Sequence, residues 1–267
     1  MRHGTVLLDV KGPLTTVTLN RPEVLNAANL AFMEDFEAVV EVLEAASEVK
    51  VVLVRGAGRA FSAGVDLDMS AGGKSPELLS FFERQERSRI RLEALDTITI
   101  AAVHGYCVGG GLQLAIACDI RVCSADCKLG LPAVMEGIFP GLAPVRLPRL
   151  IGLGPARRLV LSGEMIGAEE SLRLGMVDYV VPSERFEEQT GAIVETFLKV
   201  PHTAAMASKR LLRRSFEEPL AALEADIAPM MADCLDSPEA AAAAQLWQER
   251  RAERARARER PADHRTG

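Results

Sequence analysis

The sequence predicts an α/β fold: a core of parallel strands alternating with helices, followed by a helical C-terminal region. Three observations carry that expectation. Short β-branched runs alternate with stretches of helical apolar spacing as far as about residue 126. From Thr203 onward the apolar spacing is almost wholly helical. The chain has 267 residues, 48% hydrophobic and 25% charged, the balance of a soluble protein large enough to bury a full core.

The elements follow in order. "TVLLDV" and "LTTVTLN" predict strands around the turn "KGP", and "LNAANLAFMEDFEAVVEVLEAASE" has the i, i+3, i+4 spacing of a helix over 25–48. "VKVVLVRGAG" predicts a buried strand, "SPELLSFFERQERSRIRLEALD" a helix, "TIAAVHG" a strand, "GGLQLAIACD" a helix and "IRVCSAD" a strand. After about residue 145, "PVRLPRLIGLGPARRLVLSGE" and "GAEESLRLGMVDYVV" predict helices with one short strand. The expected division is a core over 1–200 and a helical region over 201–267, ending in a basic tail at 249–267. That tail carries seven arginines from Arg250 to Arg265, interleaved with Glu249, Glu253 and Glu259. Alternating signs at this spacing predict a solvated helix with i, i+4 pairs rather than an anion-binding strip.

A formal net charge of −6 gives no reason to expect a nucleic-acid partner. The N-terminal "MRHGTVLLDVKG" lacks the apolar centre of a signal peptide, and no apolar run reaches the roughly 20 residues of a membrane span. A cytoplasmic protein without a membrane partner is expected. The five cysteines include no CxxC pair, so reduced, mostly buried thiols are expected and no metal site.

Two segments carry chemistry. In "VVLVRGAGRAFSAGVDL" a strand runs into a loop of small residues at Ser62, Ala63 and Gly64, where a ligand could approach the main chain. In "CVGGGLQLAIACDI" the glycines Gly109, Gly110 and Gly111 open a helix whose first N–H groups lack intrahelical partners and sit at the positive end of its dipole. One N–H from each loop, converging on a point, would stabilise an oxyanion. Packing or tight turning is the other explanation for the glycines. A dinucleotide fingerprint fails at Leu114, a phosphate-binding loop in "DMSAGGKS" fails at Asp68, and a nucleophile elbow around Ser62 fails at Ala60.

Taken together, "LNRPEVLNA" (19–27), "GAGRAFSAGVDL" (56–67), "AAVHGYCVGGGLQLAIACDIRV" (101–122) and "LPRLIGLGPARRLVLSGE" (147–164) resemble the crotonase, or enoyl-CoA hydratase/isomerase, superfamily. The resemblance implies a spiral of ββα units whose C-terminal helices pack into homotrimers or homohexamers. It also implies an acyl-CoA thioester as ligand, with no cofactor beyond the CoA of that substrate, and a place in fatty acid metabolism. Carried over by position, the two oxyanion donors fall on the backbone N–H groups of Ala63 and Gly110. Arg21 and the segment Ala63, Gly64, Val65 and Asp66 fall at CoA-contacting positions, although Asp66 could equally be an acceptor that steadies the loop. Gly109, Gln113 and Ala133 complete the substrate-facing set.

The resemblance also exposes a departure. Family members that hydrate enoyl-CoA place one glutamate three residues after the oxyanion glycine and another in a later "PE" pair; here those positions hold Gln113 and Ala133. An amide neither takes nor gives a proton at neutral pH. Glu136, one helical turn past Ala133, is a candidate substitute carboxylate or else a solvated or capping residue, and Asp68, a bound water or a group of the substrate itself are the other sources of an acid or base. Standard hydration is therefore not expected. A divergent lyase or isomerase of the family is one expectation, a non-catalytic acyl-CoA binding or shuttling protein is the alternative, and a purely structural oligomer would bind no CoA.

Overall fold

The computed structural model describes residues 2–69 and 75–259, with side chains to residue 253. The strands are β1 Val6–Lys11, β2 Leu14–Leu19, β3 Val51–Gly56, β4 Ile98–Val103, β5 Tyr106–Val108, β6 Ile120–Ser124, β7 Lys128–Gly130, β8 Met165–Gly167 and β9 Tyr179–Val181. The α-helices are α1 Leu30–Ala45, α2 Pro76–Ala94, α3 Gly110–Ile116, α4 Ala143–Ile151, α5 Leu153–Ser162, α6 Ala168–Leu174, α7 Phe186–Leu198, α8 His202–Arg214, α9 Leu220–Leu235 and α10 Pro238–Glu259. Two compact units divide the chain at residues 1–199 and 200–267.

The first unit is built on a six-stranded sheet in the order β1-β2-β3-β4-β6-β9. In this sheet only β1 and β2 pair antiparallel, and the neighbouring pairs β2-β3, β3-β4, β4-β6 and β6-β9 are parallel, as crossover helices require. Alternation along the strands serves two cores. Val52 and Val54 of β3 and Ala101 and Val103 of β4 pack with α1 and α2, whereas Val51, Ile100 and Ala102 pack on the opposite face with Phe186 and Val194 of α7. Side chains covered on both faces explain why β3 and β4 read as continuous apolar runs.

The expected helix over 25–48 begins only at Leu30. Leu25 and Asn26 take left-handed backbone angles (φ 53° and 57°), and Asn29 caps the helix by accepting the Phe32 N–H at 3.0 Å. A second sheet, β5-β7-β8, was not legible in the sequence: each of its strands has three residues, too few to show a period. Helix α7 was likewise not anticipated. Residues 70–74, the middle of "DMSAGGKS", lie outside the described residues. So do residues 260–267 of the basic tail, which is helical as far as Glu259.

Among the described residues of the second unit only Met206 and Leu223 bury large apolar side chains, while Leu212, Phe216, Leu220, Met231, Leu235 and Trp247 are exposed. Arg214 bonds both Glu218 and Asp226 there, and Arg251 lies over the Trp247 ring at 5.3 Å.

The N-terminal segment is tied to α1 by one carboxylate. Asp35, fully buried, accepts N–H groups of Arg2 (2.6 Å), His3 (3.0 Å) and Thr5 (2.9 Å) and the Thr5 hydroxyl (2.9 Å). Burial alone would raise its pKa, but those bonds outweigh it and lower the value from 3.8 to about 2. A folded pKa below the unfolded one contributes stability that is present above pH 4 and lost as pH falls toward 2. Asp35→Asn is therefore expected to cost about 2 kcal/mol at pH 7, with the gap to wild type closing between about pH 4 and pH 2. Urea unfolding across that range checks this, and a gap that does not change with pH would contradict it.

Candidate functional site

The site forms where the carboxyl ends of β3 and β4 open into their loops, the usual place for a ligand in a parallel sheet. Three bonds zip the two loops together: Phe61 N–H to the His104 carbonyl (2.8 Å), Ser62 N–H to Tyr106 (3.0 Å) and Val108 N–H to Ser62 (2.9 Å). From the other side Asn26, fully buried, donates its amide to the carbonyls of Ala57 (2.9 Å), Ala60 (2.8 Å) and Phe61 (3.2 Å). Its own carbonyl accepts the Ser62 hydroxyl at 2.9 Å. Nothing in the sequence singled out Asn26, although an asparagine tolerates the left-handed turn it occupies.

This scaffold decides which backbone donors are free. The Ala63 N–H is spent on the Leu25 carbonyl at 2.8 Å, which removes the donor role that the family resemblance implied for Ala63. Gly64 N–H donates to Ser62 Oγ (3.1 Å), and Asp66 N–H to the Ala28 carbonyl (2.9 Å). Between them the Val65 N–H has no acceptor among the described residues. Nor does the N–H of Gly110, the first residue of α3, whereas Gly109 N–H donates to Gly130 (2.9 Å).

Val65 and Gly110 are brought together by backbone packing that only glycine allows. A Cβ on Gly64, whose φ is +97°, would lie 2.8 Å from the Val108 carbonyl oxygen and 3.0 Å from Gly110 N. A Cβ on Gly110 would meet the Gly64 carbonyl carbon, which carries the Val65 N–H, at 3.6 Å. The triplet is explained residue by residue. Gly109 takes φ +52°, Gly110 sits 3.3 Å (from its Cβ position) below Arg89 Nη2, and a Cβ on Gly111 would strike the Ser62 carbonyl at 2.5 Å. A small recess, partly open to solvent, is lined by Gly64 and Gly110, by Phe32, Met33 and Phe36 of α1, and by Gln85 and Arg89 of α2.

Beside it lies a chain of charges on α2 and α4. Arg89 donates to Glu86 Oε1 (2.7 Å), Gln85 Oε1 (3.2 Å) and the Gly110 carbonyl (3.2 Å). Arg146 donates to Glu86 Oε2 (2.8 Å) and, through two nitrogens, to Glu93 (2.6 and 3.0 Å). Burial lowers the Arg89 pKa to about 10, against the pull of Glu86. Burial opposes the charge of Arg146 as well, but its bonds to Glu93 and Glu86 prevail and its pKa is raised. Gln113, buried on α3, completes the set. In the amide orientation that satisfies its neighbours it donates to Glu86 Oε1 and to the Pro140 carbonyl, both at 3.1 Å.

The remaining sequence-derived positions divide. Arg21 pairs with Asp66 at 3.0 Å and also donates to the Ala27 carbonyl, so Asp66 steadies the loop through Arg21. Ala133 is half-buried in a 3-10 helix, Pro132–Glu136, and Glu136 at its end is exposed with no ion pair among the described residues. The carboxylate brought to Gln113 is Glu86, which sequence spacing could not place because it comes from another helix. Four of the five cysteines are buried, and no group of three metal-ligating side chains occurs among the described residues. No helix among them is long and apolar enough to cross a membrane.

The sequence profile of the enoyl-CoA hydratase/isomerase family matches residues 9–254. The chain is 34% identical over 219 residues to a short-chain-enoyl-CoA hydratase of Clostridium acetobutylicum, covering 81% of this chain and 84% of that protein. It is 36% identical over 206 residues to a probable enoyl-CoA hydratase of Bacillus subtilis, covering 76% and 80%. Its fold matches the crystal structure of an enoyl-CoA hydratase from Bacillus anthracis with a TM-score of 0.87 at 28% identity, covering 92% of this chain and 96% of that one.

The contact of Gln113 with Glu86 makes a glutamate at 113 costly, because two carboxylates would meet where an amide now donates. Gln113→Glu is expected to destabilise the protein by about 1–3 kcal/mol at pH 7.5. Repulsion raises the folded-state pKa of the new acid, so the penalty should shrink as pH falls toward 5. Thermal unfolding at the two pH values checks this; an equal or greater penalty at pH 5 would contradict it.

Proposed function

This chain belongs to the enoyl-CoA hydratase/isomerase family, and from that premise we propose that it binds an acyl-CoA thioester with the thioester oxygen on the N–H groups of Val65 and Gly110. The observation that carries the proposal is the pair of adjacent backbone donors without acceptors, one in each loop, at the edge of an apolar recess. Two such donors stabilise a carbonyl more as it gains negative charge, so they favour chemistry through an enolate. The start of α3 adds its positive end, although seven residues make a short dipole.

Hydration of a simple enoyl-CoA is not the reaction we infer. It needs water deprotonated at one carbon and a proton delivered at the next, and each positioned acid or base contributes about 10²–10⁴ in rate. Gln113 and Ala133 supply neither. Crotonyl-CoA tests both halves of the proposal. The wild-type chain is expected to bind it but hydrate it only slowly, and Gly110→Pro, which removes one donor at the first residue of α3, is expected to weaken binding at least tenfold, with folding checked by circular dichroism. Undiminished binding by that variant, or rapid hydration by the wild type, would overturn the assignment.

We also propose that the chain assembles into trimers or hexamers. The support is the row of exposed apolar side chains in the second unit, with Leu212 at 70% and Leu220 at 81% exposure, more than a solvated helical region would leave open. Light scattering at micromolar concentration is expected to give three or six times the chain mass of 28.8 kDa, and a monomer would contradict it.

A further inference from the structure

We propose that Glu86 is the proton-transferring carboxylate of this site and acts as its single base, an inference that rests on the thioester reading above. Glu86 stands one guanidinium's breadth from the oxyanion donor: Arg89 holds Glu86 Oε1 at 2.7 Å with one nitrogen and the Gly110 carbonyl at 3.2 Å with the other. Its side chain keeps 18% exposure, against 5% for Arg89 and 8% for Arg146, so the carboxylate is the part of this contact that reaches open space. Gly141 packs closely against Oε1, where a Cβ would fall 2.4 Å from that oxygen and 3.1 Å from the Gln113 amide, so the exposed part of the carboxylate is Oε2.

A carboxylate offers about four lone-pair positions. Arg89 and Gln113 fill those of Oε1, and Arg146 takes one on Oε2, which leaves the second position on Oε2 without a donor among the described residues. The facing groups are Arg89 and Gln85 on α2, Arg146 with its partner Glu93, Gln113 on α3, and the Pro140–Gly141 backbone. Two arginines and two glutamates balance, so the site holds a carboxylate in place without a surplus of either sign. Gln113 is then an amide because the acid has moved to the neighbouring helix, and its N–H aims Glu86 instead of replacing it.

The step is a proton transfer. Glu86 Oε2 takes a proton from C2 of the bound acyl group, the C–H pair becomes the C1–C2 double bond, and the carbonyl pair moves to the thioester oxygen between the Val65 and Gly110 N–H groups. Reversal returns a proton to C2, and no oxidant or second reactant enters. The substrate class is an acyl-CoA thioester with a removable proton at C2.

Butyryl-CoA incubated with the full chain in deuterium oxide tests this by mass spectrometry and proton NMR, with binding measured in parallel by calorimetry. Wild type is expected to exchange the C2 protons, and Glu86→Gln to bind butyryl-CoA within a factor of three while exchanging at least about 100-fold more slowly. Glu136→Gln should exchange at the wild-type rate. If Glu86→Gln does not fold, Glu86→Asp keeps the negative charge beside the two arginines and should exchange at least tenfold more slowly at unchanged affinity. Binding without exchange in the wild type, wild-type exchange in the folded Glu86 variant, or loss of exchange in Glu136→Gln would overturn the role of Glu86. A wild type that does not bind butyryl-CoA would overturn the thioester reading, and this proposal with it.

Discussion

The site depends on one close approach: the backbone of Gly64 against that of Gly110, with a carbonyl oxygen and an amide nitrogen where any other residue would need room for a Cβ. Everything around it maintains that approach. The strand ends of β3 and β4 deliver the two loops, the 61–62 and 104–108 segments zip them, and Asn26 clamps the carbonyls of Ala57, Ala60 and Phe61 in the first loop from behind. Because nearly every N–H in the 61–66 segment is consumed by this scaffold, the one left over is specified as tightly as if it had been selected: Val65, not its neighbour Ala63.

The second feature is a buried ion cluster where simpler chemistry would place apolar side chains. Taking Arg89 and Arg146 out of water costs several kcal/mol each before their partners offset it, so the cluster is not there for stability alone. It fixes the geometry of groups around the first turn of α3: one guanidinium bridges Glu86 and the Gly110 carbonyl, and one carboxylate organises Arg89, Arg146 and Gln113. In that setting the amide at 113 meets Glu86 without repulsion.

Much of the framework was legible in the sequence because it obeys local periodicity. The alternation of β3 and β4 with α1 and α2, the glycine-led start of α3 and the helical C-terminal region all follow from spacing that spans six residues or more. What escaped is non-local. The three-residue strands β5, β7 and β8 exist only by pairing with one another, and α1 starts late because of left-handed angles at Leu25 and Asn26 that apolar spacing does not record. Site residues divide in the same way. Gly110 could be placed by motif, but whether Ala63 or Val65 has a free N–H depends on a bond to Leu25 from a turn 38 positions earlier. Glu86 sits mid-helix with no motif around it, and only the packing of α2 against α3 and α4 gives it partners.

The central claim is that two backbone N–H groups, of Val65 and Gly110, polarise a thioester carbonyl. Isotope-edited infrared spectroscopy of butyryl-CoA carrying carbon-13 at C1 tests it most directly, because the carbonyl stretch reports hydrogen bonding at that oxygen alone. A bound spectrum with the labelled stretch displaced to lower frequency than in water, and returned toward the free value in Gly110→Pro, is the predicted result. A bound thioester whose stretch stays at or above its frequency in water would contradict the account.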